Sequence, residues 1–529
     1  MNKRQILAAL ALAFALGLAA PVAIYADEVT SEQSSEEATG ENTNEEITIT
    51  GEESTIPTEE NDEEISAPTV SEEIPATQAT NAVVTISTDD VAALKDALEN
   101  IDNSEVVLDS DITVSSATDL DITRSDNSEV TLNLNGHKIT TANNIRMISL
   151  RKGHLHIKGG TLESTFATVN SKPVLAVYGS ATPVTIDSSN DYYTFVMIDN
   201  DVTIKSNGYG ISVYDEAADG SHTNAAYGIY MAMNGQIVAP YGIAVSGNIT
   251  QGDVNSETGS KAPVISLGNG SSITSTLKDA NGKINGGAAI YAAGNAQWSI
   301  DGSTIESGTG IEAKAGIFYI TNAKIKASGP ASQGTPQMGL AVDTGAVFQI
   351  EANSQYNGAN PVAFHINSGE FSSENNSVFY QYGDDDNKFD QIEVLSGSFT
   401  PGAGKPVFAG IGSDKAGIYG GNYYGAMGLG ENSLPENFEY VTETDANGNT
   451  YTKVVPISKP GQGAGGDETK DDVAGADEEV PDTGAFSGEA AKASNLTTSV
   501  IPMLASVVLA SGIAFVASKR LRRAGDKKN

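Results

Sequence analysis

Cysteine is absent from the 529 residues, so the chain holds no disulfide, no thiolate metal ligand and no cysteine nucleophile. Cations are scarce too: 30 Lys and Arg stand against 68 Asp and Glu, a formal net charge of −38. That balance excludes a nucleic-acid partner, because a phosphate backbone has to be met by clustered cations. What is plentiful is glycine, with 55 residues, beside a hydrophobic share of 39% and a single Trp. Such a composition favours a turn-rich all-β body over a helical one, and the length allows two or three ordinary domains or one long repetitive one.

The two ends read as addresses. Residues 1–26 carry Lys3 and Arg4, an apolar run from Ile6 to Ala20 and small residues up to Ala26, the order of a secretory signal peptide. A buried amphipathic helix would need polar residues at a helical period, and Ile6 to Leu18 has none. At the other end, residues 500–518 hold no charge and, as a helix, come close to the roughly 30 Å of a bilayer core. The cluster Lys519, Arg520, Arg522, Arg523, Lys527 and Lys528 fills the basic tail, residues 519–529, which stays cytoplasmic by the positive-inside rule. The rest of the chain is then expected outside the cell.

Ahead of that apolar segment stands Val480-Pro481-Asp482-Thr483-Gly484, followed by a polar spacer over residues 485–499. The pentapeptide resembles the cell-wall sorting signals of Gram-positive-type bacteria, whose usual form is Leu-Pro-x-Thr-Gly; Val480 stands where that form has Leu. The resemblance implies that a sortase thiolate attacks the Thr483 carbonyl and passes the chain to an amine of the cell-wall precursor. Pro481 presets a bend and Gly484 admits a close backbone approach. The alternative is a plain membrane tether in which Pro-Asp-Thr-Gly is only a turn. Either way the expected location is the cell wall or cell surface, with C-terminal anchoring.

Residues 27–82 are Glu, Ser, Thr, Asn and Pro, with no Lys or Arg between Arg4 and Lys95. This is the composition of a disordered acidic arm, and residues 458–479 repeat it as a flexible linker. Between them, residues 83–457 change pattern. One helix is expected over Asp89–Ile101, with Thr88 as N-cap, Asp89 and Asp90 in the first turn, and Val91, Leu94, Leu98 and Ile101 on one face. Short alternating strands follow, as in Val130–Leu134 before Asn135-Gly136 and then Lys138–Thr140.

Self-similarity decides the architecture. The segments His154–Ser164, Gln297–Ser307 and Ile317–Ser328 follow one template, with a step of 20 residues from Gln297 to Ile317. A second template runs through Tyr209–Val213, Tyr227–Tyr230, Tyr241–Val245 and Met338–Val342. A unit of two or three short strands cannot bury its apolar face alone, but stacked units share a continuous core. The expected fold is a right-handed parallel β-helix with an N-terminal capping helix, holding roughly 14 coils over about 65 Å. The helix would plug the apolar end of the first coil.

Val130–Ile139, followed by Gly-Gly-Thr-Leu-type coils, resembles the pectin-lyase-like β-helix repeats of bacterial surface and adhesin proteins. Gly417–Tyr424, Asn437–Val441 and Asn447–Tyr451 are similar to the terminal coil and closing hairpin of such proteins. That superfamily includes pectate lyases and polygalacturonases, so an enzyme has to be weighed. A uronate lyase needs cations for the sugar carboxylate and a base beside it. Arg124, Arg146 and Arg151 are the only arginines between Asp27 and Thr483, all in the first coils, and none lies in a run of Asp. The ordered carboxylate set of the superfamily's glycosidases is missing as well.

Asp384, Asp385, Asp386 and Asp390 form one dense carboxylate group and Asp215, Glu216 and Asp219 another, both read as loops. His154 and His156 share one side of a strand without a third ligand and read as an exposed pair, while His137 belongs to a turn. Asp445, Asn447 and Asn449 begin like a calcium loop, but Asn447-Gly448 is a hairpin turn. Aromatic rings are the remaining candidates: Tyr192 and Tyr193, and above all Tyr209, Tyr214, Tyr227, Tyr230 and Tyr241, which either hold sugar faces or cover coil corners.

The expectation is an adhesin or surface-coat protein that binds host or bacterial glycans or a matrix protein, without catalysis, metal or cofactor. The alternative is a surface-anchored polysaccharide lyase or glycoside hydrolase, and a ligand-free stalk is a third reading.

Overall fold

The structure is a computed structural model. It describes residues 82–457 apart from 170, 189–190, 218, 255–260, 333–342, 353–361, 384–388 and 431–432. The leader, acidic arm, linker, Val480–Gly484, the apolar segment 500–518 and the basic tail lie outside the described residues, as do Met338–Val342 and Asp384–Asp386. Among the described residues no helix is long and apolar enough to cross a membrane.

The strands are short, and their alternation places only two or three side chains of each on the inside. Gln297–Asp301 buries Trp298 and Ile300, and Thr304–Ser307 buries Ile305 and Ser307. Neither can close a core alone, so each coil lies on the next. Three faces result. On face A, Gln297–Asp301 pairs in parallel with Ile317–Thr321, in the 20-residue register of the sequence repeat (Gln297 opposite Ile317). On face B, Thr304–Ser307 pairs with Ala323–Ala327, and on face C, Thr309–Ala313 pairs with Phe348–Ala352. Faces A and C join into one 21-stranded sheet through the long strand Ile148–Lys158, which runs along both. Face B is a 13-stranded sheet closed by the antiparallel hairpin Phe438–Thr444 and Thr450–Pro456. The architecture is all-β and β-helix-like.

The inward columns explain the stability of this arrangement. Val130, Leu155, Val196, Met231, Ile265, Trp298, Phe318 and Phe364 succeed one another in register along face A, all without exposure. Toward the C-terminal end, rings replace aliphatics. Phe348, Phe379 and Phe408 stack at 4.6 and 4.7 Å, and Phe371, Phe399 and Tyr423 at 5.1 and 4.9 Å. Each fully buried ring contributes about 1.5–3 kcal/mol of transfer free energy.

The Tyr-Gly-Ile template has a steric cause on face C, where Tyr209–Tyr214 and Tyr241–Val245 lie in register. A Cβ at Gly210 would meet Ile237 Cγ2 at 2.6 Å, and one at Gly242 would meet the Ala289 carbonyl oxygen at 2.5 Å. Tyr227–Tyr230 does not belong to that face: Ile229–Met233 pairs on face A, with Tyr230 opposite Phe195. A shared motif therefore does not mean a shared face. Among the described residues the stack holds fewer coils than the roughly 14 expected from a uniform repeat, because connections such as residues 275–287 consume chain between rungs.

The helix is Val91–Glu99, shorter than Asp89–Ile101, and its N-cap is Asp90 in place of Thr88. The Asp90 side chain accepts from Ala93 N at 3.0 Å, while Asp89 instead accepts from Thr113 N at 2.7 Å. Leu94, Ala97 and Leu98 enter the main core at the first coil, but Ile101 is 42% exposed beyond the helix end. Fully buried Arg124 closes the C-terminal turn, donating to the Leu98 and Asn100 carbonyls and to Ser128 O and Oγ. Four of its donor bonds are spent on backbone and turn, so this arginine is structural.

Candidate functional site

The outer side of face C, over the first coils, gathers the charges that the core excludes. Alternation sends Leu175 and Val177 inward and Tyr178 outward; in the next rung Ile211 and Val213 go inward and Tyr214 outward, directly opposite Tyr178. The two phenol rings stack with centroids 5.5 Å apart. Arg146 lies 4.4 Å over the Tyr214 ring, and Arg151 lies 3.8 Å over Tyr178.

Both arginines are held from the far side. Arg146 forms a fork with Glu216, Nη1 to Oε2 at 2.6 Å and Nη2 to Oε1 at 2.8 Å. Arg151 Nε donates to Asp121 Oδ1 at 2.9 Å, whereas its Nη1 is buried without a hydrogen-bond partner. Burial pushes the Tyr178 phenol up, and the two guanidinium groups offset part of that rise. Tyr178 is thus a neutral platform for two cations.

Arg151, Tyr178 and Glu216 line a cleft of about 560 Å³ together with Lys95, Lys152 and Tyr193. One wall comes from the helix Val91–Glu99, the floor from the rungs, and the other wall from the excursions that follow Tyr178 and Tyr214. Its carboxylates all have protein partners: Asp121 and Glu216 have the arginines, and Glu99 accepts from Thr123 N at 2.9 Å. Its lysines are not balanced in this way. Lys152 donates to the Ser125 carbonyl at 3.2 Å and sits 5.8 Å from the Tyr193 ring, and among the described residues neither Lys95 nor Lys152 pairs with a carboxylate. The cleft therefore offers two lysines and a half-buried aromatic ring within a strongly acidic chain.

The tyrosines singled out from the sequence do not form an open sugar platform. Tyr209 and Tyr214 are 1% exposed, and Tyr227 and Tyr230 are buried as well. Tyr209 stacks on half-buried Tyr241 at 4.7 Å, and Tyr230 on Phe195 at 5.2 Å. Tyr227 Oη donates to Gln251 Oε1 at 3.1 Å. The reason is the coil repeat: an outward ring in one rung meets the ring of the next at stacking distance, and the two shield each other. Burial pushes the Tyr230 phenol up to about 12, and burial with Asp343 and Glu312 nearby does the same for Tyr241. Tyr214 joins the cleft only as the ring beneath Arg146.

Asp215, Glu216 and Asp219 do not act as one carboxylate group. Buried Asp215 accepts from Asn224 N and Ser246 Oγ, Glu216 faces Arg146, and Asp219 caps its own turn through Ser221. His154 and His156 are not an exposed pair either. His154 is buried against Phe195, 2.9 Å from the Tyr192 carbonyl, and burial pushes its pKa down. His156 lies 2.9 Å from Asp199. No group of metal-ligating side chains occurs among the described residues. Asp445 accepts from Asn447 N and Asn449 N at 2.9 Å each, which makes the hairpin turn, and His137 lies beside Asp111 in its own turn.

Sequence reasoning grouped the three arginines in the first coils but did not bring two of them together over Tyr178. The usable signal was their confinement to residues 124–151 of an otherwise arginine-free body. Comparison with models of protein families, with curated proteins and with solved structures finds no match.

Proposed function

We propose that this chain is an exported surface protein, anchored at the cell wall through Val480–Gly484 and residues 500–518, whose right-handed β-helix binds an acidic glycan without cleaving it. The observation that carries the reading is a pair of lysines without a carboxylate partner among the described residues, both lining the cleft between the helix and the first rungs of face C. In a chain of net charge −38, Lys95, Arg151 and Lys152 line one concavity beside Tyr193. Guanidinium and ammonium groups recognise carboxylate or sulfate, and a phenol ring packs against a sugar face. Adhesion is favoured over catalysis because Asp121 and Glu216 are each committed to an arginine, and an acid–base pair needs carboxylates free to exchange protons.

The lyase or hydrolase reading draws on the same two carboxylates and is tested in the same experiment. The full chain displayed on cells is titrated with polygalacturonate, heparin and neutral dextran while new chain ends and unsaturated products are followed. Acidic polymers should bind, dextran should not, and Arg151→Gln with Lys152→Gln should weaken binding at least about tenfold, which corresponds to 1.4 kcal/mol. Equal binding of dextran would overturn the ligand class. Shortened polymer would replace the adhesin by the enzyme.

A further inference from the structure

Further along face C, the outer side carries a second polar cluster with no opening to solvent. Glu312 lies on the strand Thr309–Ala313, Lys314 follows it, and Glu351 lies on the next rung, Phe348–Ala352. Lys314 Nζ is 2.9 Å from Glu351 Oε2 and 3.4 Å from Glu312 Oε1, and all three side chains are 0% exposed. Tyr382, from the rung after that, donates its hydroxyl to the same Glu351 Oε2 at 2.9 Å and accepts from Gln349 Nε2 at 2.9 Å. The Tyr291 ring lies 5.1 Å from the ammonium.

One ammonium and two carboxylates leave this site with an excess negative charge, and removing each ion from water costs several kcal/mol. Condensation removes two of the three charges at once. We propose that Lys314 and Glu351 are joined through their side chains by an amide bond, a covalent staple between adjacent coils. The nitrogen lies 2.9 Å from one oxygen of the carboxyl group whose carbon it would attack. Glu312 takes a proton from the Lys314 ammonium, and the freed lone pair attacks Cδ of Glu351. The N–C bond forms, one C–O bond breaks, and the two protons lost by nitrogen leave with that oxygen as water, carried by Glu312. Nothing is oxidised or reduced.

Tyr382 aims its hydroxyl at the oxygen where charge develops in the tetrahedral intermediate. Burial, with Glu312 and Glu351 close by, holds that hydroxyl in its protonated form. The staple closes a loop of chain from Lys314 to Glu351, and so restricts the unfolded chain as a disulfide would. A chain without cysteine has no disulfide for that purpose.

The test is peptide mass mapping of the full-length chain, with Trp298 fluorescence used to establish that its middle coils are folded. A branched peptide containing Lys314 and Glu351, lighter by one water than its two parts together, is expected in wild type. It should disappear in Lys314→Met. In Glu312→Gln, which removes the proton carrier, the linked fraction should fall at least about tenfold. Separate Lys314 and Glu351 peptides at full yield, from wild-type protein with a buried Trp298 signal, would overturn the proposal.

Discussion

Glu216→Gln removes one charge from a fork that is nearly dry, the Glu216 side chain being 9% exposed and Arg146 17%. Two charge-assisted hydrogen bonds are involved, at 2.6 and 2.8 Å. Breaking a buried pair from one side costs about 3–5 kcal/mol, because the remaining ion stays buried without compensation. The residual exposure and the Tyr214 ring at 4.4 Å place this case near the lower end, about 3 kcal/mol. Arg146→Met with Glu216→Met removes both charges and should cost no more than about 1 kcal/mol, so a double-mutant cycle should return a coupling of roughly 2 kcal/mol or more.

The assay has to be local, since coils stack by nearest-neighbour contacts and unfold from their ends. Hydrogen exchange should accelerate in Leu175–Tyr178 and Tyr209–Tyr214, the rungs that Arg146 overlies. The fluorescence transition of Trp298, several coils away on Gln297–Asp301, should not move. Loss of less than about 1 kcal/mol in Glu216→Gln would refute the claim that the fork is buried and mutually dependent. An equal shift at Trp298 would refute the local character of the stack.

Phe348→Ala empties the centre of the aromatic ladder, where the ring touches Phe364, Phe371 and Phe379, and should cost about 3–5 kcal/mol. Phe364 leads through Phe318 to Trp298, so here the fluorescence transition in urea should shift. Gly242→Ala drives a Cβ to within 2.5 Å of the Ala289 carbonyl, which neither backbone can avoid, and should expose the neighbouring rungs to limited proteolysis. His154 is kept neutral mainly by burial, so the folded form binds fewer protons than the unfolded one just below the ordinary histidine value near 6.5. Stability contributed there is present above that value and lost as pH falls through it; the pH slope of urea midpoints should flatten in His154→Gln.

The repeat was legible because rungs are periodic. Gln297 and Ile317 stand 20 residues apart and lie opposite each other, and Asn447-Gly448 turns the closing hairpin with φ +86° at the glycine. The helix was legible by its Leu94 and Leu98 face, but not by its cap, since Thr88, Asp89 and Asp90 all satisfy the local chemistry and only the distant Thr113 N decides that Asp89 is engaged elsewhere. The tyrosines misled for a physical reason. A ring facing outward on a single strand looks like a binding platform, yet on a stacked face it meets another ring, as Tyr209 meets Tyr241. The cleft was hidden because Arg151 and Glu216 lie far apart in sequence and share no repeat.

A stacked coil imposes a rule on its outer surface as well as on its core. Every outward position faces its counterpart one rung away, so like charges repel and opposite charges pair, as Lys324 pairs with Glu370 in direct register and Lys326 with Glu374 just past the end of the same strand. A perfectly regular face therefore neutralises itself and has little left with which to recognise a ligand. Unbalanced charge needs a place where the register is broken. Around the cleft it is broken three times: by the helix that carries Lys95, by the bulge between Ile122 and Thr123 beside Lys152, and by the excursions that carry Tyr193 and Glu216. Regular rungs supply rigidity, and the departures from them supply the concavity and the uncompensated lysines. In a fold of this kind the segments that fail to repeat are where recognition chemistry has to be sought.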